Sequence, residues 1–78
     1  NPQEALELAL KASRLSPDSS LILDTLAVTH LKNNNLVEAR RTIDNALRIA
    51  PENPEIRFHL AQIQAAAGDI QGAIESLN

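Results

Sequence analysis

The sequence predicts an all-α protein, an α-solenoid in which antiparallel helix hairpins stack one after another. Three observations carry this reading. A period of about 34 residues, a length that marks a repeat array, relates Ala5, Ala12, Arg14 and Pro17 to Ala39, Ala46, Arg48 and Pro51. The same offset relates Ile22, Leu26, Ala27 and Ala39 to Ile56, Leu60, Ala61 and Ala73. Apolar residues recur three and four apart, the spacing of one helix face. Between the apolar stretches lie short clusters of Pro, Asn, Ser, Asp and Gly, which are turn and cap residues. The central unit runs from Ser20 to Pro51, one complete helix–turn–helix with partial copies on both sides.

Five helices are expected, at about residues 2–15, 20–33, 36–49, 54–67 and 70–77. The first opens on Asn1 as an amide cap and Pro2 at the first helical position, where its missing N–H costs nothing, with Glu4 placed for a capping box. Its apolar residues Ala5, Leu6, Leu8, Ala9, Leu10, Ala12 and Leu15 cover too much of the circumference for a helix with one wet side. It therefore expects neighbours on more than one flank. Ser16, Pro17, Asp18 and Ser19 form a turn, with Ser19 capping the second helix.

One of Asn33, Asn34 and Asn35 is expected in the left-handed conformation, which asparagine tolerates and glycine favours; Gly68 stands one period after Asn34. Asn35, aligned with Asn1 and Asp69, is expected to cap the third helix with Glu38 in the capping-box position. That helix carries Glu38, Arg40, Arg41, Asp44 and Arg48 outward. Their spacing predicts self-paired charges worth about 0.2–0.5 kcal/mol per pair, with an anion-binding patch as the alternative. Pro51 to Pro54 end this helix and start the fourth, with Asn53 as cap. Gly68 and Asp69 break the chain before a fifth helix with Ala73, Ile74 and Leu77 along one face.

Size and composition narrow the function. A core of fewer than about 80 residues supplies only a few kcal/mol without a staple, and these 78 residues include no cysteine, so neither disulfides nor thiolate metal ligation are available. The net charge of -3, with both signs interspersed, lacks the basic excess that nucleic-acid binding draws on. No apolar run approaches the roughly 20 residues that span a bilayer, so no direct membrane insertion is expected. His30 and His59 have no companions at the spacing of a metal site or an acid–base dyad. No catalytic residue, metal or cofactor is expected. A chain opening on Asn1 is read as a fragment of a longer array.

These residues resemble the tetratricopeptide repeat, whose pattern is an aromatic, two residues, Leu-Gly, two residues, Tyr, then Ala, three residues, an apolar residue and a closing Pro. The first full copy reads Leu23, Leu26, Ala27, His30, Ala39, Ile43, Ala46, Pro51; the second reads Arg57, Leu60, Ala61, Gln64, Gly68, Asp69, Ala73, Leu77. On that resemblance the solenoid is right-handed. Residues 1–17 are the second half of a repeat, 18–51 a complete repeat and 52–78 most of a third. Ala27 and Ala39, like Ala61 and Ala73, are expected where paired helices cross most closely, because a larger side chain there would force the backbones apart. His30, at the tyrosine position, is expected to be a satisfied interhelical histidine. Arg57 and Gln64 replace a large apolar residue and a tyrosine, so the last helix pair is expected to pack less well than the central one.

Stacked hairpins curve, and the first helices of successive repeats line the concave surface. The resemblance places Leu21, Asp24, Thr25, Val28 and Leu31 of one helix on that surface. From the next it places Glu55, Phe58, His59, Gln62 and Ala65. The partner this implies is a protein or peptide segment. Phe58, the one aromatic residue, is either its hot-spot anchor or part of the core. One subclass of the family grips the C-terminal carboxylate of chaperone peptides with a cationic set of side chains. Here Asp24, Thr25, Val28, Glu55 and His59 stand in those places, so the groove suits a neutral or basic apolar segment.

The runs Leu21-Ile22-Leu23-Asp24-Thr25-Leu26-Ala27 and Asn53-Pro54-Glu55-Ile56-Arg57-Phe58-His59-Leu60-Ala61 also resemble late repeats of bacterial envelope lipoproteins associated with exopolysaccharide production and protein sorting. That second resemblance implies a scaffold for an export assembly; the compartment stays open between the bacterial envelope and the cytoplasm. The expected function is a non-catalytic protein-interaction scaffold. Alternatives are a regulatory repeat segment of a larger enzyme or export-complex lipoprotein, and an RNA reader, against which the period and the negative charge argue. Leu6, Leu8, Leu10, Ile70, Ile74 and Leu77 are expected on exposed apolar surface, which favours self-association.

Overall fold

The computed structural model describes residues 1–78 and contains five helices and no strand. They are α1 (Pro2–Leu15), α2 (Ser20–Lys32), α3 (Leu36–Ile49), α4 (Pro54–Ala66) and α5 (Ile70–Leu77). Asn1 opens α1 by accepting from the Gln3 N–H at 2.9 Å, and Ser19 opens α2 by accepting from the Ile22 N–H at 3.3 Å. Asn53 takes the Glu55 and Ile56 N–H groups at 3.0 and 3.1 Å, and Asp69 takes the Gly72 N–H at 2.9 Å. Each satisfies a donor that the first turn of a helix leaves orphaned.

Asn35 departs from this pattern. It occupies the N-cap of α3 but its side chain makes no capping bond. Its Nδ2 lies 3.3 Å from Nδ1 of His30, and Glu38 is engaged by Arg41 Nη1 at 3.3 Å. The expected capping box does not form, because a buried imidazole one helix away competes for the same amide.

Helices α2 and α4 each stop one residue before the ends that the sequence predicts, and the reason is the same in both. Asn34 has φ +60° and Gly68 φ +88°, so each chain must leave the helix to enter the left-handed region. The Asn35 and Asp69 N–H groups then reach back to the carbonyls of His30 and Gln64 at 2.9 and 2.8 Å, and those of Asn34 and Gly68 to Leu31 and Ala65 at 3.0 and 3.1 Å. These paired bonds form a Schellman motif, and it recurs one period later. Because a left-handed conformation costs an ordinary L-residue roughly 1–2 kcal/mol, Asn34→Ala is expected to lower unfolding stability by about 1 kcal/mol while Asn34→Gly does not. Chemical denaturation of the two variants checks this.

The other turn repeats as faithfully. Ser16 (φ −138°, ψ 68°) and Ala50 (φ −131°, ψ 72°) adopt one conformation, and both precede a proline, which disfavours the helical region for the residue before it. Asn33 then ties the hairpins together, donating from Nδ2 to the Pro2 carbonyl at 3.0 Å and to the Thr29 carbonyl at 2.9 Å.

Each helix packs on the next in order, from α1 against α2 through to α4 against α5. Beyond these sequential pairs, α2 also lies against α4, while α1 does not reach α3 and α3 does not reach α5. One row of helices is drawn together and the other is spread, so the stack bends with α2 and α4 on its inner side. This is the solenoid of helix hairpins that the repeat predicts.

The core joins Leu23, Ala27, Ala39, Ile43, Ala46, Ile56 and Ile63, with Leu31, Leu47, Ala50 and Leu60 packed against it. Ala27 of α2 and Ala39 of α3 belong to this core and are 0 % exposed; Ala61 and Ala73, their counterparts on α4 and α5, are 5 % and 7 % exposed. No helix is long and apolar enough to cross a membrane.

Candidate functional site

The inner wall is made of α2 and α4, and helical spacing decides what each presents. On α2, Leu21 and Thr25 are exposed, Val28 and Leu31 half-buried, and Leu31 turns its side chain onto the core. On α4, Glu55, Phe58, Gln62 and Ala65 are exposed and His59 is half-buried. Phe58 retains half of its surface in solvent, so the one aromatic side chain is not consumed by packing. Thr25 is partly committed to its own helix, donating from Oγ1 to the Leu21 carbonyl at 3.0 Å.

Asp24 lies behind this wall, in the seam between the two helices. It is 5 % exposed, and its carboxylate accepts from Nδ1 of His59 at 2.8 Å through Oδ1 and at 3.0 Å through Oδ2. A carboxylate only accepts, so the proton sits on Nδ1 and the bond orients the ring. Asp24 therefore steadies the wall from within instead of facing a partner. The sequence alone places Asp24 and His59 as separate groove contacts. They lie 35 residues apart in the chain, and the approach of α2 to α4 is what joins them.

The two polar residues at the tyrosine position are both buried and satisfied. His30 meets Asn35 as described, and Gln64, 7 % exposed, accepts from Ser76 Oγ at 2.6 Å. No buried side-chain nitrogen or oxygen lacks a partner. On the outer face of α3, Arg40 pairs with Asp44 at 3.2 Å and Arg41 with Glu38 at 3.3 Å, all well exposed. Both arginines have intramolecular counterions, as a self-paired surface requires. No three His, Cys, Asp or Glu side chains gather in one place.

The match to known proteins agrees with this geometry. The family model described as tetratricopeptide repeat matches residues 25–78, more than two thirds of the chain. The chain belongs to the tetratricopeptide repeat family. A TPR repeat-containing protein of Pseudomonas aeruginosa is 37 % identical over 59 residues, covering 76 % of this chain and 10 % of that protein. The TPR chain thus spans about a tenth of the length of the curated relative it matches. TPR hairpins act as protein-interaction scaffolds, and here the family's small residues, Ala27, Ala39, Ala61 and Ala73, are all buried.

Proposed function

We propose that the chain takes a neutral or basic, largely apolar peptide or protein segment along the wall of α2 and α4. The supporting observation is the combination of exposed Leu21 and Phe58 with an exposed carboxylate, Glu55, that enters none of the molecule's ion pairs. With Asp24 engaged by His59, Glu55 is the free charge among the wall positions. The complete repeat is taken as residues 18–51, flanked by the second half of one repeat (1–17) and most of another (52–78). In this reading the chain performs no chemistry itself, and Phe58 is the anchor around which a partner is desolvated.

Selection from a displayed library of random peptides tests the proposal. The expected enrichment is for apolar peptides carrying Lys or Arg, and a Val28→Asp, Phe58→Ala double variant should lose retention of the selected peptides. Enrichment of acidic peptides, or full retention by the double variant, would count against it.

A further inference from the structure

The pair that joins α2 to α4 leaves one ring atom free. His59 gives Nδ1 to Asp24, and its Nε2 has no partner within the molecule. Because no buried side-chain nitrogen lacks a partner, Nε2 of this half-buried ring opens to solvent on the inner wall. The ring stands beside Phe58, with the two centroids 6.0 Å apart. Glu55 lies four residues earlier on the same helix, and residues at that spacing are neighbours on a helix surface. A helical side chain leans back over the preceding turn, which brings the imidazole toward the Glu55 carboxylate. The free carboxylate of the wall and its histidine ring are therefore adjacent.

Charge decides what this placement does. With His59 neutral, the wall positions hold two carboxylates, Asp24 and Glu55, and no cation. A proton added at Nε2 makes both ring nitrogens donors, so the bond to Asp24 survives and a positive charge appears one turn from Glu55. Helices α2, α3 and α5 all pack on α4. Of the charged and titratable groups they bring, Asp24 is the one bonded to the ring. His30 of α2 meets Asn35, and Lys32 ends that helix. On α3, Glu38, Arg40, Arg41 and Asp44 are paired on the outer face, and Arg48 is exposed. Glu75 of α5 accepts from Gln71, and Arg57 of α4 lines a cleft with Ser76 and Leu77 of α5.

We infer that His59 is a proton-linked gate on the wall: a Lys or Arg of the partner seated on Glu55 binds the neutral ring form, and protonation of Nε2 weakens it. The inference rests on the reading that this wall takes a basic, apolar segment. Linkage is reciprocal, so binding the cation releases a proton. Phe58 keeps its role as anchor, and neither end of the stack takes part.

The probe is a Lys-bearing peptide enriched by the selection described above. Its affinity, read by fluorescence anisotropy at low salt, should fall about threefold or more between about pH 8 and about pH 5.5. An analogue with norleucine in place of the Lys should show no such fall. Calorimetry in buffers of differing ionisation heat should record proton release for the Lys peptide and none for the analogue. His59→Gln keeps an N–H for Asp24 but has no titrating ring, and it should flatten the profile; His30→Gln should keep it. The analogue needs no variant protein, so the comparison stands whether or not His59→Gln folds. Absence of any Lys-bearing peptide that binds at the higher pH would overturn the underlying reading and this inference with it. Equal affinity at both pH values, an equal fall for the analogue, a fall that survives in His59→Gln, or one that is lost in His30→Gln would overturn the inference alone.

Discussion

Ala39→Leu is expected to destabilise the chain by about 1–3 kcal/mol, the usual cost of forcing extra methylenes into a filled interior. Ala39 is 0 % exposed and lies in the same cluster as Ala27, Ala46 and Ile43, all also fully buried. These four residues form one filled cluster with Leu23, Ile56 and Ile63, which leaves no room for an added isobutyl group. The added side chain must move α2 or α3 bodily, and both carry the core. In a domain of this size each kcal/mol shifts the melting midpoint by about 4–8 °C, so thermal unfolding reads the effect directly. Arg40→Ala, the adjacent residue, removes an exposed ion pair with Asp44, and such pairs contribute about 0.5 kcal/mol or less. Equal shifts for the two variants would discredit close approach at Ala39.

His59→Ala is the second large effect, expected to cost about 1–3 kcal/mol, the penalty for leaving a buried polar group unpaired. The asymmetry of the pair makes the prediction specific. Asp24 has 8 % of its side chain exposed and His59 23 %. Deleting the imidazole strands a carboxylate with little access to water; deleting the carboxylate leaves a ring that solvent can reach. Asp24→Ala should therefore cost less than His59→Ala. Replacing both residues with leucine should recover much of the loss, because a hydrogen-bonded pair exchanged for apolar groups leaves nothing unsatisfied. Urea denaturation of the four proteins measures this, and an Asp24→Ala cost equal to or larger than that of His59→Ala would refute it.

The parts of the fold legible in the sequence were those governed by one residue or one local rule. Pro17 and Pro51 fix the backbone before them, Asn34 and Gly68 meet a demand for positive φ, and Asn1, Ser19, Asn53 and Asp69 cap the helix that follows. The repeat spacing then marked the alanines that are buried. Contacts between helices were harder to read. Asn35 has the identity of a cap, yet it turns to His30, a competition visible only once the hairpin is closed. Asp24 and His59 each sit at a wall position by helical spacing, but the approach of α2 to α4 converts two surface groups into one internal pair. Side-chain exposure on α1 was likewise uneven: Leu8 is open, while Leu6 and Leu10 are half-buried against the stack.

The central claim, that α2 and α4 together form the binding wall, is tested most directly by amide chemical-shift mapping with a peptide selected on the wild-type chain. The expected perturbations cluster at Leu21, Thr25, Val28, Glu55, Phe58 and Gln62 and leave the outer face of α3, around Val37 and Arg41, unchanged. Perturbations centred on α3, with α2 and α4 silent, would contradict it.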